Sequence, residues 1–129
     1  MNILIAEDDV VSRKMMIKIL SDFGDCDFVV NGMEAIDAYL LAQKENKIYD
    51  LIFLDIMMPK IDGIKALKTI RELEKQNHVM KKAKIIMITA LNEKDVVEDA
   101  YKKGADAYAT KPLDINKLIE LIKQFKIID

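Results

Sequence analysis

Short apolar runs recur along the chain at 3–6, 28–30, 51–54, 85–88 and 105–109. Most are continuous rather than alternating, which marks strands buried on both faces, as in a parallel sheet. Segments with helical spacing lie between and after them. Val11, Met15 and Ile19 run at i, i+4, i+8, and Ile36, Tyr39 and Leu40 at i, i+3, i+4. Leu67, Ile70 and Leu73 share a face, as do Val96, Val97, Ala100 and Tyr101. Ile115, Leu118, Ile119 and Ile122 give the cleanest stripe, an amphipathic helix with one buried side.

The punctuation agrees. Asn31 with Glu34 three residues on predicts a capped start for the second helix. Gly104 after Tyr101-Lys102-Lys103 predicts a left-handed stop to the fourth. Pro112 and Asp114 predict the opening of the fifth. The stretch 74–84 is polar and predicts a helix end plus an exposed loop. Strand and helix therefore alternate five times, which predicts one domain over residues 1–129 with a doubly wound α/β sheet. In such folds ligands bind beyond the carboxyl ends of the strands.

Composition narrows the function. The chain has 129 residues, 51% of them hydrophobic, enough for one core without staples. Net charge is −2, so the basic excess of a nucleic-acid binder is missing. One cysteine and one histidine exclude an intramolecular disulfide, a CxxC site and an HExxH site. Cys26 is expected as a small buried or half-buried thiol, His78 as a solvated loop residue, and the eight methionines as core filler. No stretch approaches the ~20 apolar residues of a membrane span, and the start of the chain lacks the form of a signal peptide. The expectation is a cytoplasmic protein.

The strand ends carry the chemistry. The first strand runs into Glu7-Asp8-Asp9, the third ends in Asp55, the fourth in Thr89-Ala90, and the fifth is followed by Thr110-Lys111-Pro112. Acids, a hydroxyl and an amine thus converge on one edge. Two unit charges ~4 Å apart repel by about 4 kcal/mol at an effective dielectric near 20, so the acids need positive charge. Lys111 supplies part of it. A hard, oxygen-seeking cation such as Mg²⁺ supplies the rest, and suits carboxylates plus phosphate oxygens.

Leu54-Asp55-Ile56-Met57-Met58-Pro59 with Asp62-Gly63 resembles the phosphoacceptor motif of bacterial response-regulator receiver domains. The acidic pair after strand one, Thr89-Ala90 and Lys111-Pro112 complete the resemblance in order and spacing, most like single-domain, chemotaxis-type members. It implies a flavodoxin-like (βα)5 fold with strand order 2-1-3-4-5. It implies that Asp55 accepts a phosphoryl group from a sensor histidine kinase or phosphotransfer protein. Mg²⁺ would be held by Glu7 (through water), Asp8, Asp55 and the backbone carbonyl of Met57. Lys111 would pair with a phosphoryl oxygen, Thr89 would donate to another, and Tyr108 would be the switch aromatic. A cis Lys111-Pro112 bond is also implied. The output would pass to a downstream protein through the face of helix 4, strand 5 and helix 5, with no direct contact to nucleic acid and no membrane insertion.

Arg13 stands five residues after Asp8, as an arginine often does in that family, which assigns the pair to Glu7 and Asp8 and leaves Asp9 as a helix cap. Met57 and Leu91, two residues after Asp55 and Thr89, offer no polar group to position an attacking water, so slow self-dephosphorylation is expected. Other functions fit less well. Aspartate-nucleophile phosphatases carry a second Asp where this chain has Met57. The acids after strand one would repel a flavin phosphate, and the four glycines lie too far apart for a P-loop or dinucleotide motif. The expectation is a phosphoacceptor switch rather than a turnover enzyme. A docking-only degenerate receiver, or a receiver cut from a longer regulator, is the alternative.

Overall fold

The computed structural model describes residues 1–90 and 93–125. Strands β1 (Asn2–Ala6), β2 (Asp25–Val29), β3 (Leu51–Asp55), β4 (Lys84–Thr89) and β5 (Ala107–Thr110) alternate with helices α1 (Val10–Leu20), α2 (Gly32–Lys44), α3 (Gly63–Gln76), α4 (Lys94–Lys102) and α5 (Ile115–Gln124). The strands form one parallel sheet in the order β2-β1-β3-β4-β5. This is the doubly wound α/β architecture read from the alternating pattern.

The pleat explains the continuous apolar runs. Leu4 and Ala6 of β1, with Ile52 and Leu54 of β3, face α2, α3 and α4, where Ala35, Ile36, Leu67, Ile70 and Ala100 close one core. Ile3, Ile5, Leu51 and Phe53 face the other way, onto Met16 and Leu20 of α1 and Leu118 and Ile122 of α5. Both faces are covered, so polar alternation would be penalised on either side. The helix starts follow their caps. Asp9 Oδ2 accepts from the Ser12 amide at 2.9 Å. Asn31 Oδ1 accepts from the Glu34 amide at 2.8 Å, while Glu34 Oε1 accepts from the Val30 amide at 3.2 Å. Asp114 Oδ1 accepts from the Asn116 amide at 2.9 Å. Gly104 takes φ +113, a region that side-chain-bearing residues rarely adopt.

Four expectations need correction. β2 begins at Asp25, three residues before the apolar run, because it is an edge strand whose outward residues need no apolar character. β5 starts at Ala107 rather than at residue 105. Asp106 instead turns its carboxylate onto the Ile85 amide (2.8 Å) and Arg71 (2.7 Å). The polar stretch after residue 73 is not simply exposed: Glu74 is 1% exposed and Ala83 is buried. There Arg71 binds Glu74 Oε1 (2.7 Å), Asp106 Oδ2 (2.7 Å) and the carbonyls of Ala83 (2.8 Å) and Gly104 (2.9 Å), and Glu74 Oε2 accepts from the Ala83 amide (2.9 Å). Finally, only some methionines fill the core. Met16 and Met87 do, whereas Met57 and Met80 are exposed. His78 is exposed and Cys26 half-buried, as expected.

Candidate functional site

The strand order reverses between β1 and β3, and the acids sit at that switch point. Parallel pairing of Ala6 with Leu54 brings the two strand ends level, so Glu7 and Asp8 leave β1 beside Asp55, the last residue of β3. Carboxylate oxygens of Glu7, Asp8 and Asp55 lie within 4.8 Å of one another. Glu7 and Asp55 are buried and Asp8 is exposed, so the cluster opens to solvent on one side.

Lys111 reaches in from the end of β5. Its Nζ donates to Asp55 Oδ2 at 2.7 Å and also to Glu7 Oε1. Its backbone is held by the Thr89 carbonyl at 2.8 Å, and the Lys111–Pro112 bond is cis, as the resemblance implied. One cation therefore serves two buried carboxylates. The balance leaves Glu7 short of positive charge: burial, then the neighbouring Asp55, raise its pKa to about 8, while Lys111 pulls the other way. For Lys111, burial works against the ammonium, but Asp55 and Glu7 outweigh it and raise the pKa above the ordinary lysine value.

Asp55 Oδ1 accepts from the Met57 amide at 3.0 Å. The loop after β3 folds back tightly: the Gly63 amide donates to the Ile56 carbonyl at 2.9 Å. A Cβ on Gly63 would stand 2.1 Å from the Asp55 carbonyl oxygen, so only glycine fits there. Met57 itself is 59% exposed. Thr89 is fully buried at the end of β4, one residue beyond the Asp55–Ile88 pair. Tyr108 is half-buried on β5 and packs against the core beneath α2, α3 and α4. Burial and then the Asp55 charge raise its phenol pKa. Leu91 lies outside the described residues.

Arg13, which the sequence reading used only to fix the register of the acidic pair, makes contacts beside the site. Arg13 sits one turn into α1, and its Nη1 donates to the Glu7 carbonyl at 3.1 Å. Its guanidinium lies 5.0 Å from the centroid of the Phe28 ring on β2. The signal was in the spacing: with Asp9 at the cap, a long side chain one turn on leans back toward the helix start.

The residues fit a divalent cation. Three carboxylate oxygens lie together here, and hard cations prefer such donors. Glu7 Oε2 is buried and accepts no hydrogen bond from the protein, as expected of an oxygen that faces a metal position. No helix of the described residues is long and apolar enough to cross a membrane.

The comparisons with known proteins agree with this geometry. Residues 3–123 match the family model "Response regulator receiver domain". Among curated relatives, the hybrid signal transduction histidine kinase F of Dictyostelium discoideum is 35% identical over 95% of this chain, which spans 11% of that protein's length. Among solved structures, the CheX–CheY–BeF3–Mg²⁺ complex of Borrelia burgdorferi contains a chain that is 35% identical, with TM-score 0.83. The match covers 96% of this chain and 88% of that one. The complex of the Saccharomyces cerevisiae histidine phosphotransfer protein Ypd1 with the receiver domain of Ssk1 contains a chain 30% identical, with TM-score 0.82, matched over 96% of this chain and 87% of that one.

Proposed function

Because this chain belongs to the response regulator receiver domain family, with that family's role in phosphorelay signalling, we propose that Asp55 is its phosphoacceptor and Mg²⁺ its cofactor. The observation that carries the reading is the convergence of three carboxylates from two strand ends, two of them bridged by a single lysine. A carboxylate oxygen of Asp55 attacks the phosphorus of a donor phosphohistidine. The P–N bond breaks, its electron pair goes to the imidazole nitrogen, and an aspartyl phosphate remains.

The residues divide the work. The Met57 amide fixes one Asp55 oxygen and so the direction of attack. Lys111, already on Asp55, follows the new phosphoryl oxygens, and the Thr89 hydroxyl donates to another. Tyr108 reports that change at the face of α4, β5 and α5. Glu7, Asp8, Asp55 and the Met57 carbonyl would hold Mg²⁺, which supplies the positive charge that the phosphoryl and carboxylate oxygens need. Modification replaces one negative charge by about two. It shifts the shape only through contacts made better in one state, here those of Thr89 and Lys111.

The phosphoryl donor is a sensor histidine kinase or a phosphotransfer protein, and the output is a protein partner in the cytoplasm. Residues 1–129 act as one receiver domain that catalyses only its own phosphorylation and dephosphorylation. Acetyl phosphate with Mg²⁺, followed by intact-mass analysis, tests this. One phosphoryl group per chain is expected, and none on Asp55→Asn. An unmodified wild type, or equal modification of Asp55→Asn, refutes it.

A further inference from the structure

We infer that Arg13, seated on Phe28, is a positioning residue for the acidic loop and sets its affinity for a divalent cation. The inference rests on the proposed Mg²⁺ site but concerns two residues outside it. The Glu7 peptide is held from both ends. Its N–H donates to the Val29 carbonyl at 3.1 Å, and its carbonyl accepts from Arg13 Nη1 at 3.1 Å. That carbonyl belongs to the Glu7–Asp8 peptide plane, so fixing it fixes where Asp8 begins. On the far side, Asp9 is tied to the Ser12 amide at 2.9 Å. The loop that must bring two carboxylates to one point is thus pinned on both sides of Asp8, at Glu7 and at Asp9.

Phe28 explains how a long, flexible arginine holds such a bond. It is 54% exposed on the edge strand, a costly place for a phenyl ring without a partner. The guanidinium sits over the ring, 5.0 Å from its centroid, and cation–π contact restricts the arginine rotamers. β2 thereby supports the site without contributing a donor atom to it. Partners behind ligating carboxylates typically change metal affinity when removed.

Arg13 also carries charge, and removing a cation near the site would by itself favour Mg²⁺. Phe28→Ala separates the two effects, because it removes the platform and keeps the charge. The test uses the wild-type chain of residues 1–129, Phe28→Ala, Phe28→Tyr, Arg13→Gln and the Arg13→Gln/Phe28→Ala pair. Two quantities are read: backbone amide order parameters at residues 7–9 in metal-free protein, and the Mg²⁺ dissociation constant by calorimetry, both well below the melting temperature. Phe28→Ala is expected to lower the order parameters of 7–9 and weaken Mg²⁺ binding roughly tenfold. Phe28→Tyr should restore both, and the pair should be no looser than Arg13→Gln alone. A merely structural role would move the melting temperature and leave both readings in place.

Unchanged order parameters and affinity in Phe28→Ala overturn the inference. So does tighter Mg²⁺ binding by Arg13→Gln with no effect of Phe28→Ala, which would make Arg13 a charge and not an anchor. If the wild type binds no Mg²⁺, the cofactor reading fails, while the order parameters still decide the positioning role.

Discussion

Replacing Arg71 by methionine keeps the aliphatic length of the side chain and deletes its guanidinium. The structure allows the cost to be worked through. Four hydrogen bonds disappear, two to carbonyls and two to carboxylates. Glu74 is the expensive partner: its side chain is 1% exposed, and once Arg71 is gone it loses its cation and keeps only neutral donors, the Ala83 amide and the Tyr39 hydroxyl. Stranding a buried carboxylate costs about 3–5 kcal/mol. Asp106 is 27% exposed and keeps the Ile85 amide, so water screens much of its loss. About 4 kcal/mol is expected in total, a large share of the 5–15 kcal/mol that holds a typical domain together. In a chain of 129 residues the melting temperature should fall by roughly 12–20 °C.

The assay is urea unfolding followed by circular dichroism, with Arg71→Met, Glu74→Met and the double variant forming a cycle. The double variant should recover at least about 2 kcal/mol over the sum of the singles, because neither partner then remains stranded. A loss below about 1 kcal/mol in Arg71→Met, the range of an exposed ion pair, refutes the reasoning, and so does strict additivity.

Other outcomes follow from the same geometry. Gly104→Ala combines φ +113 with a Cβ only 2.8 Å from Arg71 Cγ, and should cost about 1–3 kcal/mol in the urea midpoint. Lys111→Gln removes the shared cation, so acetyl phosphate should modify Asp55 at least about tenfold more slowly, while Mg²⁺ binding persists; time-resolved mass analysis reads the first and calorimetry the second. Asp27 has its pKa lowered by hydrogen bonds from Lys47 and Tyr49. That stabilisation is present above the unfolded value near 3.9 and vanishes as pH falls through the folded one, so Tyr49→Phe should narrow the gap between urea midpoints at pH 7 and pH 3. With Asp27 nearly half exposed, the change should stay below about 1 kcal/mol. The aspartyl phosphate should persist for minutes, since Met57 presents no polar side chain beside Asp55; phosphate release within a few seconds from the isolated protein would contradict this.

The legibility of the sequence was uneven for physical reasons. Buried strands announced themselves because both faces of the sheet exclude water. The acidic edge was readable because charged residues have few reasons to end an apolar strand, while the role of each residue there came only from the family resemblance. β2 was half-read, because an edge strand needs apolar residues on fewer positions. Arg71 and Glu74 were invisible as a pair: their ion pair lies across one helical turn, but its value comes from Ala83, Gly104 and Asp106, which only the folded chain brings near. Arg13 marked the register of the acidic pair by spacing, while its bond to a backbone carbonyl has no signature in side-chain chemistry.

The tight seat of Gly63 against the Asp55 carbonyl has a mechanical consequence. The start of α3 is bolted to the strand that carries Asp55. Any side chain at residue 63 would wedge α3 away from the sheet edge where the acids gather, so one missing methyl group keeps helix and strand backbone on backbone.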